Sequence, residues 1–246
     1  MHFDALAEVY AAARPPYPPA LWDTLRDLGV LQAGYRALDL GAGTGQATGP
    51  LLAAGLTVTA VEPGTRLAQQ LQRLHPAASV VVARAEDADF AAGSFDVAVA
   101  ATSIHWMDLT VVLPKLRRAL RPGGTLLVWR NVFGDADAPV TPFREAVAAI
   151  VRDRGAPSTS EADAEDAPAT AAALTAAGLF TVESISTFRW SIDLDEAQVR
   201  RLFTTFSNWS PDEVNRAAGA ARELGGSVVE HYLSWLIVLK PSSIAR

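Results

Sequence analysis

The chain of 246 residues contains no cysteine. That excludes a disulfide framework, a thiolate metal site and a cysteine nucleophile together, and it points to the cytoplasm as the compartment. Basic residues are in deficit, 21 Lys and Arg against 27 Asp and Glu, for a formal net charge of -6. A protein that lives on phosphate backbones needs a basic surface to displace counterions, so nucleic acid is not an expected partner. Also missing is any run approaching the roughly 18 consecutive apolar residues of a membrane span. The first residues, MHFDALAEVYAAARPPYPP, carry acids and an arginine where a signal peptide would have a continuous apolar core, so no membrane partner is expected. Histidine is sparse, with 4 residues. They show no H-x-x-x-H spacing and no compact cluster with carboxylates, so no metal is expected. No internal repeat is found.

What is present is a globular composition, half hydrophobic and 20% charged, long enough for one large domain. Short apolar runs alternate with amphipathic ones, the pattern of α/β architecture. Strands are expected near Ala37–Leu40, Thr57–Val61, Val80–Ala83, Asp96–Ala100 and Thr125–Trp129, with helices between them. Leu67, Leu71 and Leu74 recur at helical spacing, as do Val112, Leu116 and Leu120, after which Pro122, Gly123 and Gly124 should stop the helix. Right-handed crossovers then give a parallel sheet with helices on both faces. Beyond residue 131 the pattern changes. GDADAPV reads as a loop, TPFREAVAAIVRDRG as a helix and APSTSEADAEDAPA as an exposed, mobile acidic stretch. FTVESISTFRWSI and SVVEHYLSWLIVLKP read as two further strands, with two helices inserted between them. Ser210, Pro211, Asp212 and Glu213 have the form of a capped helix start.

The densest signal is RALDLGAGTGQATG, in which Gly41, Gly43 and Gly45 follow the first strand at alternate positions. Such glycines permit a tight turn and a close backbone approach to a ligand, with amides of the next helix N-terminus beside it. The dinucleotide fingerprint G-x-G-x-x-G would put its third glycine where this chain has Gln46, which argues against a dehydrogenase. Glu62 ends the second strand about twenty residues further on, where a carboxylate can take both hydroxyls of a ribose.

LDLGAGTGQAT, VEP, ARAEDADFAAGSFDVAVAATSIHW and LRPGGTLLVW resemble, in order and spacing, the motifs of class I S-adenosylmethionine-dependent methyltransferases. YAAARPPYP further resembles the start of the small-molecule branch that includes trans-aconitate methyltransferase-like enzymes. The resemblance implies a Rossmann-like sheet of seven strands, mostly parallel with the last antiparallel, and S-adenosyl-L-methionine as cofactor. It also implies a single domain capped by residues 1–30 and 195–225. On the matching positions, Asp39, Gly41, Ala42 and Gly43 would shape the methionine pocket and Glu62 would hold the ribose. Ala85 and Glu86 would meet adenine, with Arg84 standing where many relatives have Asp. Thr102 and Ser103 would line the pocket beside the methionine. Tyr10 and Arg14 would close over the cofactor, Arg14 toward its carboxylate.

Methyl transfer from a sulfonium needs alignment and exclusion of water more than it needs a base, unless the acceptor must lose a proton. His105 is the candidate catalytic residue, as a base or a hydrogen-bond donor to the acceptor, with an alternative role in ordering its loop. Trp106 and Trp209 are candidate substrate walls. Trp190, Phe203 and Phe206 supply further aromatics near the inserted helices, and Arg200 and Arg201 form either a solvated helix face or a site for an anionic acceptor. His75, at a helix end, reads as structural, with a partial positive charge suited to the dipole. His2 and His231 have no convergent partners. The expected partner is a small-molecule acceptor, and the chain is expected to be a monomer or a homodimer. Cofactor binding with non-methylating chemistry, such as a cyclisation, or without catalysis stays open as the alternative.

Overall fold

The computed structural model describes residues 4, 11–154 and 165–242. Most of the acidic stretch APSTSEADAEDAPA lies outside the described residues, as does His2. Helix α1 (Pro19–Asp27) leads into β1 (Arg36–Leu40), α2 (Thr48–Ala53), β2 (Thr57–Val61), α3 (Thr65–Leu74) and β3 (Ser79–Val81). Then come β4 (Phe95–Ala101), one 3-10 turn (Ile104–Trp106), α4 (Leu109–Ala119) and β5 (Leu120–Phe133). The chain continues through α5 (Pro142–Arg152), α6 (Ala167–Thr175), β6 (Phe180–Asp195), α7 (Glu196–Thr204), α8 (Pro211–Glu223) and β7 (Ser227–Pro241).

Among the described residues these strands form one seven-stranded sheet in the order β3-β2-β1-β4-β5-β7-β6. All neighbours are parallel except at β7, which runs antiparallel to both β5 and β6. Strands β1 and β4 are buried along nearly their whole length because helices cover both faces, which is why they read as continuous apolar runs. The chain winds outward from β1 through β2 and β3, then returns to lay β4 on the other side of β1. That reversal opens a crevice beyond the carboxyl ends of β1 and β4, where ligands of open α/β sheets bind.

One apolar layer packs α4 and α6 on the sheet around Leu38, Val128 and Ile237. The opposite layer packs α1 and α2 around Leu127 and Trp129. There Trp129 meets Tyr17 and Trp22 edge-on, with ring centroids 5.6 Å apart in both pairs. A third cluster joins α5, α7 and α8 through Phe143, Leu202, Phe203 and Ala217. Capping boxes start α7 at Asp195 and α8 at Ser210, the second as the sequence predicts.

Two boundaries differ from expectation. Leu120, expected in the helix, is the first residue of β5 and pairs with Phe95; the register then shifts before Val97 pairs with Thr125. The Pro-Gly-Gly segment is absorbed in that irregularity, with the Gly124 position hard against the carbonyls of Arg121 and Asp96. Helix α6 was not expected. Its run of alanines has little periodicity to read, and its start depends on Asp166, whose side chain accepts from the Ala169 amide.

Candidate active site

The site begins at the carboxyl end of β1. Asp39 is fully buried, and its Oδ2 accepts from the Thr48 hydroxyl at 2.6 Å. Its Oδ1 is buried without a hydrogen-bond partner among the described residues. Burial pushes the carboxyl up to about 6, with the Thr48 hydrogen bond opposing and the nearby Glu62 adding to the rise.

The three glycines that follow all have positive φ: 64° at Gly41, 58° at Gly43 and 97° at Gly45. An L side chain is strained there, but the space around them divides their roles. A Cβ on Gly41 would come within 2.6 Å of the Ser103 Cβ, and one on Gly45 within 2.3 Å of the His75 ring. Gly45 is therefore needed for the close approach of His75 rather than of a ligand. Burial against this loop lowers the His75 pKa, so the ring is a neutral wedge and not the helix-end cation that its position suggested. Gly43 turns its amide to the Glu62 Oε2 at 2.9 Å.

Glu62 is 4% exposed and clasps two loops, its Oε1 accepting from the Gly64 amide at 2.8 Å. Burial raises its pKa, the two amides oppose that, and the charge of Asp4 adds to it. Asp4 comes from the amino-terminal segment and caps α3. Its Oδ1 accepts from the Arg66 amide at 2.7 Å and the Leu67 amide at 3.1 Å, where the helix's own N-cap, Gly64, has no side chain to offer. Thr102, just past β4, has φ 57°, the single non-glycine with positive φ among the described residues. For a β-branched residue that is strained backbone, held by its amide on the Trp129 carbonyl at 2.7 Å and its hydroxyl 3.1 Å from that of Tyr17.

Two adjoining cavities open over this edge. The smaller, about 80 Å³, is lined by Asp39, Ala42 and Gln46 and reaches Tyr17 and Tyr232. The larger, about 640 Å³, is lined by Glu62, Ala85 and Glu86 on one side and by His105, Trp106 and Trp209 on the other. Arg14, Gly41, Gly43, Thr102 and Phe206 belong to both walls. Every candidate site residue that is described thus lines one cavity or the other; Tyr10 lies outside the described residues. Arg14 donates to the Thr205 carbonyl at 3.0 Å and lies over the Phe206 ring at 5.0 Å, tying the amino-terminal segment to the end of α7. The Glu86 Oε1 accepts from Arg84 at 3.1 Å and from the Asp108 amide at 2.9 Å.

His105 sits against Trp106, ring centroids 4.8 Å apart, with the Arg130 Nη1 at 3.0 Å from its Nδ1. Loss of water around the ring, and secondly the Arg130 charge, lower its pKa to about 4. A guanidinium can only donate, so the ring nitrogen that faces it accepts and the imidazole is neutral at pH 7. Arg130, which the sequence did not single out, is the cation beside His105, and it reaches Glu165 at 3.9 Å. Arg200 instead pairs with Asn215 and Glu196 along the helices, and Arg201 lines neither cavity. Phe203 is core, and Trp190 packs on Tyr232. Among the described residues no three His, Asp or Glu side chains group to hold a metal ion, and no helix is long and apolar enough to cross a membrane.

Residues 38–128 match the methyltransferase domain family. That match spans β1 to β5, the part of the chain that is similar to methyltransferases. An uncharacterized methyltransferase of Mycobacterium tuberculosis is 37% identical over 132 residues, 53% of each chain. The chain thus spans about half the length of the curated relatives it matches. A solved structure from Anaeromyxobacter dehalogenans, assigned to the type II methyltransferases, is 25% identical with a TM-score of 0.60, covering 92% of this chain and 96% of that one. The geranyl diphosphate C-methyltransferase of Streptomyces coelicolor, solved with S-adenosyl-L-homocysteine, shares the fold at 16% identity and a TM-score of 0.51, over 90% of this chain and 78% of that one. The methyltransferase sheet explains the placement of β7, which enters antiparallel between β5 and β6 where a dinucleotide fold would continue in parallel.

Proposed function

We propose that the protein transfers a methyl group from S-adenosyl-L-methionine to a small-molecule acceptor by in-line displacement. The observation that carries this reading is the pair of buried carboxylates at adjoining strand ends, Asp39 and Glu62, set on either side of a glycine turn that opens into the two cavities. The donor set fits the cofactor: Asp39 has an oxygen without a partner for an ammonium, and Glu62 stands where a ribose is held in such sheets. Ala85 and Glu86 would flank the base. When bound, the cofactor supplies a methyl group on a positively charged sulfur, and a neutral thioether leaves.

The acceptor would enter the larger cavity beside His105, Trp106 and Trp209, against the connection between α7 and α8 that supplies Phe206 and Trp209. A neutral His105 held by Arg130 is suited to orienting an acceptor through a hydrogen bond; a base with a pKa of about 4 would draw little proton from an alcohol or amine. The resemblance of the amino-terminal YAAARPPYP to the small-molecule branch supports an acceptor of that size.

Calorimetry with S-adenosylmethionine and S-adenosylhomocysteine, on the wild type and on Glu62→Ala, tests the reading. The expected result is micromolar binding, about -8 kcal/mol, lost in the variant. A folded wild type that binds neither overturns it.

A further inference from the structure

Tyr232 lies on β7 directly across from Phe133 of β5 and Trp190 of β6. Its ring is stacked on Trp190, centroids 4.8 Å apart and planes 23° from parallel, and meets Phe133 edge-on at 5.6 Å. Held on two sides, the ring cannot swing its hydroxyl toward another group. That hydroxyl is buried and has no hydrogen-bond partner among the described residues. A buried polar group left unpaired costs about 1–3 kcal/mol, and such a group in a cavity wall calls for an explanation.

The wall is that of the smaller cavity, which Tyr232 shares with Asp39 and Arg14. Asp39 also has a buried oxygen without a partner there. The two orphaned groups are complementary in kind. Asp39 can only accept once ionised. Tyr232 is kept protonated by burial, with the Glu230 charge adding and Arg14 and Arg144 opposing, so it has a proton to donate. Acceptor and donor in one small cavity, with a guanidinium at its edge, match a zwitterion: an ammonium toward Asp39 and a carboxylate toward Tyr232 and Arg14.

We propose that Tyr232 is a ligand-contacting residue whose hydroxyl donates to the carboxylate of an α-amino-acid group seated between it and Asp39. The proposal rests on the S-adenosylmethionine reading, because that ligand carries such a group beyond its adenosine. It adds a contact from the last strand of the sheet to a set of proposed cofactor contacts that otherwise come from residues 14–102.

The test is calorimetry on the wild type and Tyr232→Phe with two ligands, S-adenosylhomocysteine and 5′-methylthioadenosine, which keeps the nucleoside and the thioether but lacks the amino acid. Tyr232→Phe is expected to weaken S-adenosylhomocysteine about tenfold and to leave methylthioadenosine within about twofold. Its melting temperature should equal or exceed that of the wild type, since the lost hydroxyl bonds nothing in the fold. Unchanged S-adenosylhomocysteine affinity in the variant, or equal weakening of both ligands, overturns the proposal alone. A wild type that binds neither nucleoside overturns the underlying reading and this proposal with it.

Discussion

The two ends of the site are built from different materials. At the β1 and β2 end the walls are backbone and buried acid: a turn with three residues at positive φ, and Glu62 holding the Gly43 and Gly64 amides. At the far end they are side chains on loops and short helices. Trp106 is 63% exposed, and His105 and Arg130 meet over a single 3-10 turn. The first end is a preformed socket, its loops tied together by the Glu62 carboxylate and its turn closed against Ser103 and His75. The second is an open wall whose residues can be exchanged with little cost to the fold. The socket suits a ligand of fixed chemistry, and the wall suits one that differs between enzymes.

The sharpest way to break that division is to put a methyl group into the socket. Gly41→Ala would place a Cβ 2.6 Å from the Ser103 Cβ. Ser103 has no easy retreat, since its hydroxyl donates to the Leu40 carbonyl at 2.6 Å. With the cost of positive φ added, the expected loss is about 2–3 kcal/mol of stability, together with loss of nucleoside binding; thermal melts and calorimetry read both. Gly45→Ala makes the companion case, because its obstruction is the His75 ring. His75→Ala should restore part of the stability that Gly45→Ala removes, leaving the cost of positive φ, about 1 kcal/mol. A Gly41→Ala protein that melts and binds like the wild type would show that the socket is not rigid.

The next effect is one of pH. Asp39 titrates at about 6, above its ordinary value, so at pH 7 it is mostly ionised and able to receive an ammonium. Between pH 7 and pH 5 it takes up a proton, and the affinity for S-adenosylhomocysteine should fall about tenfold. Stability of the ligand-free protein moves the other way. A carboxyl whose pKa is raised by folding contributes stability that is fully present below its unfolded value, near 4, and is lost as pH rises through about 6. Glu62, shifted in the same direction, reinforces both trends. Asp39→Asn should flatten much of the binding profile, whereas His105→Gln should leave it unchanged. If the two variants shift the profile alike, the assignment of the proton to the socket is wrong.

The same contrast explains how much could be read in the sequence. Strand β1, the glycine turn and Glu62 form a local pattern: a few consecutive residues at fixed spacing carry the whole arrangement, and the structure places them as that pattern implies. The roles inside the pattern were less legible. Nothing local says that Gly45 makes room for His75, thirty positions on, because that contact depends on how α3 ends. Asp4 capping α3, Arg130 beside His105 and Tyr232 in the cavity wall were invisible for the same reason, each depending on a pairing made across the sheet or from a distant segment. Of the two readings the sequence left open for Arg200 and Arg201, the structure fits the solvated helix face: Arg200 pairs with Asn215 and Glu196, and neither residue lines a cavity. The arginines that do line the cavities, Arg14, Arg84 and Arg130, stand apart in the sequence and are brought together by the fold.

The smallest effect on the fold, and the sharpest test of the open wall, is Trp106→Ala. The indole is 63% exposed and its ring lies on His105 at 4.8 Å, so removing it should change stability by no more than about 0.5 kcal/mol. S-adenosylhomocysteine affinity should stay within about twofold of the wild type. The loss should appear in the acceptor: kcat/KM for an acceptor found by screening should fall about tenfold, near 1.4 kcal/mol of positioning, with most of it in KM. A Trp106→Ala protein that loses nucleoside affinity as well would mean that the indole belongs to the socket. The boundary between the two ends would then lie beyond the 3-10 turn.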